Sequence, residues 1–344
     1  MSNYSLALLV LYLVAVASLI FARFINVKFG NSVAIVASLT TFILASFRPS
    51  EFPDYETYEL IFEFCSSGDF GNDLYWLAHG EPGFKIISYA LHCIGANYAH
   101  FLLFMALLSY YLLLRISKLS EIPFSYLWFT YFSFFFITRD LGVIRLSIAS
   151  HLIVLMLLKR KFLSKIVIVV FASLTWQYLS FIALLAPLLS KYKLNVFRIL
   201  ILLAIAAFLS SLLTFSGILS FLPEKQSINY DGLVMSEPTM TPVIRNLLFA
   251  GFVFFLFKKE LNNLIVNSWV WSVVLSVILY VLTFNILILS QRTGAYFGAI
   301  IPIALAYKLN RNISSDSIFF VVSFICVLNF ISLFYYNDFV WKIY

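Results

Sequence analysis

Long apolar runs, each broken by a short polar or basic stretch, set the rhythm of this chain. They occupy about residues 4–22, 31–47, 98–114, 124–138, 143–158, 162–175, 178–190, 196–213, 243–257, 267–289, 293–307 and 317–335. A helix needs about 20 apolar residues to cross a bilayer. The pattern therefore predicts an all-α, polytopic integral membrane protein with about 12 transmembrane helices, several of them short. A further run, Pro82 to Gly95, is too brief and too punctuated to cross, and predicts a short re-entrant or interfacial helix near 82–95. Re-entry is tolerated only where the backbone is buried in protein or lines a cavity. The first run, Tyr4 to Phe21, lacks a basic leader and a small-residue cleavage pattern, so it is expected to be retained. No internal repeat or low-complexity linker interrupts the 344 residues, which read as a single transmembrane domain, 1–344. Two longer polar stretches, about 48–81 and 214–242, are expected as outer loops.

Composition agrees with that solvent. Hydrophobic residues make up 62% and charged residues 11%, against roughly 45–50% and 25% in soluble domains. Mean hydropathy is +0.96. A soluble enzyme, a nucleic-acid binder and a large extramembrane domain are excluded. The net charge of +7 then has a topological cause, because Lys and Arg collect in cytoplasmic loops. If 82–95 does not cross and 162–190 forms two short spans, six basic clusters share the inner side. These are Arg23/Lys28, Arg115/Lys118, Lys159/Arg160/Lys161/Lys165, Lys191/Lys193/Arg198, Lys258/Lys259 and Lys308/Arg311, fifteen of the 23 basic residues. Thirteen of the sixteen acids, and both termini, then fall outside. Cys65, Cys93 and Cys326 form no disulfide or metal pattern.

The outer side carries the candidate chemistry. The stretch 48–81 holds eight acids and one base, Arg48. Tyr55, Tyr58 and Phe62 recur at helical spacing beside Glu56, Glu59 and Glu63, which on a helix makes adjacent aromatic and acidic rows. Such rows suit a sugar, rings covering C–H faces and carboxylates accepting hydroxyl protons; they equally suit a helix lying at the headgroup level. Eight basic residues escape the inner side: Arg48, Lys85, Arg139, Arg145, Lys225, Arg245, Arg292 and Lys342. Four of them, Arg48, Arg145, Arg245 and Arg292, lie at or within a turn of a span's outer end. Arginine at membrane depth is expensive and tends to line a cavity with a partner, and its planar fork suits phosphate. Converging, these arginines would hold a diphosphate at the membrane surface; singly, each can snorkel to headgroups or pair with the acidic stretch. His92, His100 and His151 lie in apolar runs and read as interior residues, while His79 sits near Glu81. No ligand spacing, phosphate-binding glycine loop or D-x-D pattern is present, so neither metal nor nucleotide cofactor is expected.

Four landmarks then fall in order: Asp54-Tyr55 with Tyr58, Glu81-Pro82-Gly83-Phe84, Arg145 with Ile148-Ala149, and Arg292 with Tyr296-Phe297. This order resembles the EpsG-like branch of the Wzy-type polymerases, bacterial proteins that polymerise O-antigen or capsular repeat units. The Glu-Pro-Gly-Phe element is the most specific of them. One position departs. Many relatives have a histidine at the break near 175–180, where this chain reads Thr175-Trp176-Gln177-Tyr178; Gln177 can hydrogen-bond a sugar but cannot act as a general base.

The resemblance implies a metal-independent glycosyltransferase of the bacterial inner membrane, multi-pass, with its site facing the periplasm. It would move a growing glycan from undecaprenyl pyrophosphate onto the terminal sugar of another lipid-linked repeat unit. A chain-length regulator and a flippase are implied as partners beside the bilayer. Such a reaction needs cations at the leaving diphosphate and a general base for the acceptor hydroxyl. Glu81 is the first candidate base, fixed by Pro82 and Gly83, followed by Asp54 and Asp140; Glu81 can equally be a helix cap. Arg145 and Arg292 are expected at the donor diphosphate, supported by Arg139 and Arg245, with Arg48, Tyr55, Tyr58, Gln177 and Tyr296 as further substrate contacts. Asp140 offers a local neutraliser for Arg139. Rival readings are a lipid-linked oligosaccharide flippase, an O-antigen ligase and a lipid-linked-sugar glycosyltransferase.

Overall fold

The structure is a computed structural model that describes residues 3–52, 54–66, 81–212, 240–285, 287–311 and 316–336. Side chains at 66, 212, 240–242, 287–292 and 336 lie outside that description. The regular structure among the described residues is helical, with no strand among them. In chain order the helices are α1 (Asn3–Phe24), α2 (Val27–Ser46), α3 (Tyr55–Ser66), α4 (Pro82–Cys93), α5 (Tyr98–Ser120) and α6 (Phe124–Tyr131). A π-helical segment, Phe132–Asp140, continues α6 directly. There follow α7 (Ile144–Leu158), α8 (Phe162–Thr175), a 3₁₀ turn Tyr178–Leu184, α9 (Leu185–Leu189) and α10 (Val196–Leu212). The last are α11 (Met240–Phe257), α12 (Leu264–Leu282), α13 (Leu287–Gly298), α14 (Ile301–Arg311) and α15 (Asp316–Tyr336).

Among the described residues, five helices are long and apolar enough to cross a membrane: α1, α2, α5, α12 and α15. The other expected spans are shorter. The run 178–190 is a 3₁₀ turn followed by five α-helical residues. The run 293–307 is divided between α13 and α14 at Ala299 and Ile300, where Pro302 cannot continue a preceding helix. The short helix near 82–95 is present as α4. Its end is set by Gly95 at φ +79°, a left-handed backbone that favours glycine.

Two compact units divide the chain: Met1–Leu158, Phe171–Tyr178 and Pro302–Tyr344 form the first, Lys159–Val170 and Leu179–Ile301 the second. In the first, α1 and α2 form a tight hairpin. Asn26 caps α2 by accepting from Lys28 N at 2.8 Å. A Cβ on Gly30 would fall 2.5 Å from Ala22 N, so glycine lets the two backbones touch, as small residues do between helices in lipid. Arg23, near the end of α1, pairs with Asp316, at the start of α15, at 2.8 Å; the two are expected on the same side. From Phe124 to Phe134 every residue is buried, which marks α6 as a central helix. Around it Phe42, Trp128, Phe132 and Phe136 pack with centroids 4.9–5.8 Å apart.

The second unit is built on α12, whose flanking helices are α10, α11 and α13. Asn267 donates to the Ser190 and Tyr192 carbonyls at 2.7 and 3.1 Å, and Trp271 Nε1 to Tyr192 O at 2.9 Å. These bonds tie the segment after α9 to the start of α12.

Candidate functional site

The Glu81-Pro82-Gly83-Phe84 element explains itself residue by residue. Glu81 stands just before α4 in extended backbone, with Pro82 opening the helix. Its side chain does not cap α4. Instead Oε2 lies 2.7 Å from Arg145 Nη1, and Oε1 accepts from the Tyr178 amide at 3.4 Å. A Cβ on Gly83 would lie 2.5 Å from Thr175 Cα and 2.6 Å from Thr175 Cβ, so only glycine lets α4 close on the end of α8. Phe84 is fully buried and meets Phe101 and Trp176 edge-on at 5.3 and 6.3 Å. The Arg145 guanidinium carbon lies 5.4 Å from the Phe84 centroid and 5.5 Å from that of Tyr58, within cation–π range. The pair's side chains are 13% and 8% exposed. Taking two charges out of water this far costs several kcal/mol per ion unless geometry repays it.

Neighbouring groups extend the cluster. Lys85, one turn into α4, is buried; burial lowers its pKa, while Cys65 and Glu81 act to raise it. Burial pushes the Cys65 thiol up to about 11. Burial likewise raises the Tyr58 phenol, against the opposing field of Arg145. Arg48 follows α2 and is 4% exposed. Its Nη1 donates to the carbonyls of Leu141 at 2.8 Å and Asp140 at 3.4 Å, and its carbon lies 5.8 Å from the Tyr55 centroid. Tyr98 donates to Tyr55 O at 2.9 Å and meets that ring edge-on. Four buried atoms here have no hydrogen-bond partner: Arg48 Nε, Arg48 Nη2, Arg145 Nε and Tyr58 Oη.

A second polar cluster surrounds the end of the π-helical segment. Asp140 accepts from Tyr131 Oη at 2.5 Å and from Ser147 Oγ at 2.6 Å, distances normal for hydroxyls on a carboxylate. Ser147 also stands 3.4 Å from Ser109 Oγ. His151 Nδ1 is 2.9 Å from the Ser147 carbonyl, an acceptor only, so that nitrogen carries the proton and Nε2 is a bare lone pair. π-Helical turns are frequent at functional sites, and this one ends in Arg139 and Asp140.

The first unit thus brings Glu81, Arg145, Arg48, Tyr55 and Tyr58 into one neighbourhood. Tyr58 and Phe62 are 1% and 4% exposed, because positions 58, 61, 62 and 65 form the inward stripe of α3, while Tyr55 is half-buried at its start. Glu56 and Glu63 are exposed on the opposite face. Asp54 is exposed in left-handed backbone at φ +61°, and its carbonyl accepts from Tyr58 N at 2.9 Å as α3 begins. Arg139 donates to Ser150 Oγ at 2.7 Å and covers Phe135. Gln177 is buried at the break beside Trp176.

Arg245 and Tyr296 belong to the second unit, Arg245 exposed and Tyr296 buried. Arg292 lies on α13, its side chain outside the described residues. Lys225, Lys342 and His79 also lie outside them. His100, expected inside, is exposed and forms a capping box with Asn97 at the start of α5; His92 is also exposed. Sequence reasoning missed Tyr98, Tyr131 and Ser147, whose spacing carries no signal. Phe84 and Trp176 were quoted only as letters of a motif.

A model of the EpsG family matches residues 31–344, nearly the whole chain. The chain belongs to the EpsG family. That places this EpsG-family protein among Wzy-type, polymerase-like membrane proteins of polysaccharide synthesis. No curated protein and no solved structure matches it.

Proposed function

We propose that this EpsG-family protein is a glycosyltransferase that polymerises undecaprenyl-pyrophosphate-linked repeat units at the outer face of the bacterial inner membrane. The observation that carries this reading is the buried contact between Glu81 and Arg145 at 2.7 Å: a carboxylate and a guanidinium, the two groups such a transfer needs, in one aromatic enclosure.

In the reaction the bond from the donor's anomeric carbon to its diphosphate breaks, and a bond from that carbon to an acceptor hydroxyl oxygen forms. The hydroxyl proton goes to Glu81, and the lipid diphosphate leaves with the electron pair. Charge grows on the diphosphate oxygens, and a fixed guanidinium in a poorly hydrated cleft stabilises it without reorganisation. The anomeric carbon gains oxocarbenium character, as in glycoside hydrolysis. At rest both Glu81 oxygens are engaged, by Arg145 and by the Tyr178 amide. Donor phosphate competing for Arg145 frees Oε2 to take the proton, so the base is released when the donor is in place.

Orientation follows the charges. Arg23 and Asp316 pair at the end of the α1–α2 hairpin that carries the basic turn. Arg48 stands beyond the far end of α2, 20 residues away, or about 30 Å along a helix. With the basic turn cytoplasmic, Arg48, Glu81 and Arg145 face the periplasm.

The test is purified protein in lipid, given synthetic undecaprenyl-pyrophosphate repeat units. Longer lipid-linked products without added partners are expected. Transfer only onto lipid A core would make it a ligase, and translocation without new glycosidic bonds a flippase.

A further inference from the structure

We infer that Arg48, Arg145 and Tyr58 form a diphosphate pocket, which on the polymerase reading above holds the leaving group of the lipid-linked donor. The four unpartnered atoms Arg48 Nε, Arg48 Nη2, Arg145 Nε and Tyr58 Oη all belong to this cluster. Buried donors without acceptors are costly, and native structures keep few of them. Three of these are N–H donors and the fourth is a phenol hydroxyl that can donate as well as accept, so the chemistry they suit is that of an acceptor.

Arg48 shows which kind of acceptor. Its Nη1 is anchored on the carbonyls of Leu141 and Asp140. Nε and Nη2 form the other edge of the guanidinium, the one that presents two parallel N–H bonds to a phosphate or carboxylate. That edge belongs to a side chain 4% exposed, held from behind and therefore preorganised. Arg145 is similarly fixed, Nη1 on Glu81 and the guanidinium beside the adjoining Tyr58 and Phe84 rings. Tyr58, 1% exposed, lies in the fields of both arginines. Two guanidiniums and Lys85, which lies close enough to feel both Glu81 and Arg145, stand among the carboxylates of Glu81 and Asp54, the latter close enough to act on Tyr58. Two separate arginines match two phosphoryl groups better than one, and the neighbouring rings of Tyr98 and Phe84 are buried.

The test is equilibrium binding of radiolabelled geranylgeranyl diphosphate to the full-length protein in phosphatidylcholine nanodiscs, independent of turnover. Wild-type protein is expected to bind it, and geranylgeranyl monophosphate at least about 10-fold more weakly. Tyr58→Phe keeps the ring under Arg145 and removes only the hydroxyl. A hydrogen bond to a charged group corresponds to about 10-fold or more in affinity, and that loss is expected at unchanged thermal stability. Arg48→Lys is expected to weaken binding at least as much, because an ammonium cannot hold two carbonyls and grip a phosphate bidentately.

Three binding results overturn the pocket: no diphosphate binding by wild type, wild-type affinity in both variants, or complete competition by phosphatidylglycerol nanodiscs, which would mark a general headgroup site. Binding lost in the variants while wild type makes no polymer removes the polymerase reading and keeps the pocket. Polymer made normally by Arg48→Lys and Tyr58→Phe does the reverse.

Discussion

Glu81 and Asp140 are both buried carboxylates of the first unit, 6% and 7% exposed, yet their surroundings differ in kind. Asp140 has each oxygen tied by a short bond from a hydroxyl close in sequence, Tyr131 nine residues before it and Ser147 seven after. The leftover there is His151 Nε2, a bare lone pair rather than an orphaned donor. Glu81 takes its partners from 64 and 97 residues away. Around it stand more donors than acceptors. Burial is the same in both places, so burial does not distinguish a site from scaffolding. Surplus hydrogen-bonding capacity does: Asp140 closes a network, and Glu81 stands in one that a ligand would complete.

The largest effect expected from that contrast is at Glu81. Glu81→Gln keeps shape and removes the base, and polymer formation should fall about 10²–10⁴-fold while the inserted protein still binds lipid-linked donor. Normal chain growth would remove Glu81 from the chemistry. Next is Arg145→Lys, which keeps the charge and loses the fork. Turnover on synthetic repeat units should drop about 10- to 100-fold at normal membrane abundance, and full activity would end the phosphate role.

The remaining substitutions act on architecture. Gly83→Ala drives a Cβ into the backbone of Thr175. Overpacking of this kind costs about 1–3 kcal/mol, to be read as a lowered Tm, with lost activity as α4 moves Glu81 off Arg145. On the other side of the comparison, Asp140→Asn should cost about 1–3 kcal/mol of stability yet leave diphosphate binding unchanged. If it abolishes polymer formation at unchanged Tm, Asp140 is chemical and the contrast with Glu81 collapses. Ser147→Ala, removing one hydroxyl from the same network, should cost about 1 kcal/mol in a thermal melt and little turnover.

Much of this was legible in residue order because the bilayer reduces folding to few choices. Apolar length announced helices, and the α1–α2 turn was marked by Arg23 and Lys28. Glu81-Pro82-Gly83-Phe84 stood out as a motif, but its letters acquired reasons only in three dimensions: Gly83 because Thr175 is there, Phe84 because Arg145 needs a ring. The burial of Tyr58 could not be read from the order of residues, because helical spacing identifies a face of α3 without saying what covers it. His100 was misjudged for a related reason, since an apolar run hides a polar first turn whose backbone amides need a cap.

By itself, then, the sequence determined the solvent and the helical class. Those follow from composition and period, which are local and additive along the chain. The tertiary structure alone decided that Arg145 pairs with Glu81, that Arg48 is anchored on the carbonyls of Asp140 and Leu141, and that Asp140 is closed off by Tyr131 and Ser147. Pairing between side chains far apart in sequence depends on how helices pack, and no spacing within one helix encodes the neighbour it will meet.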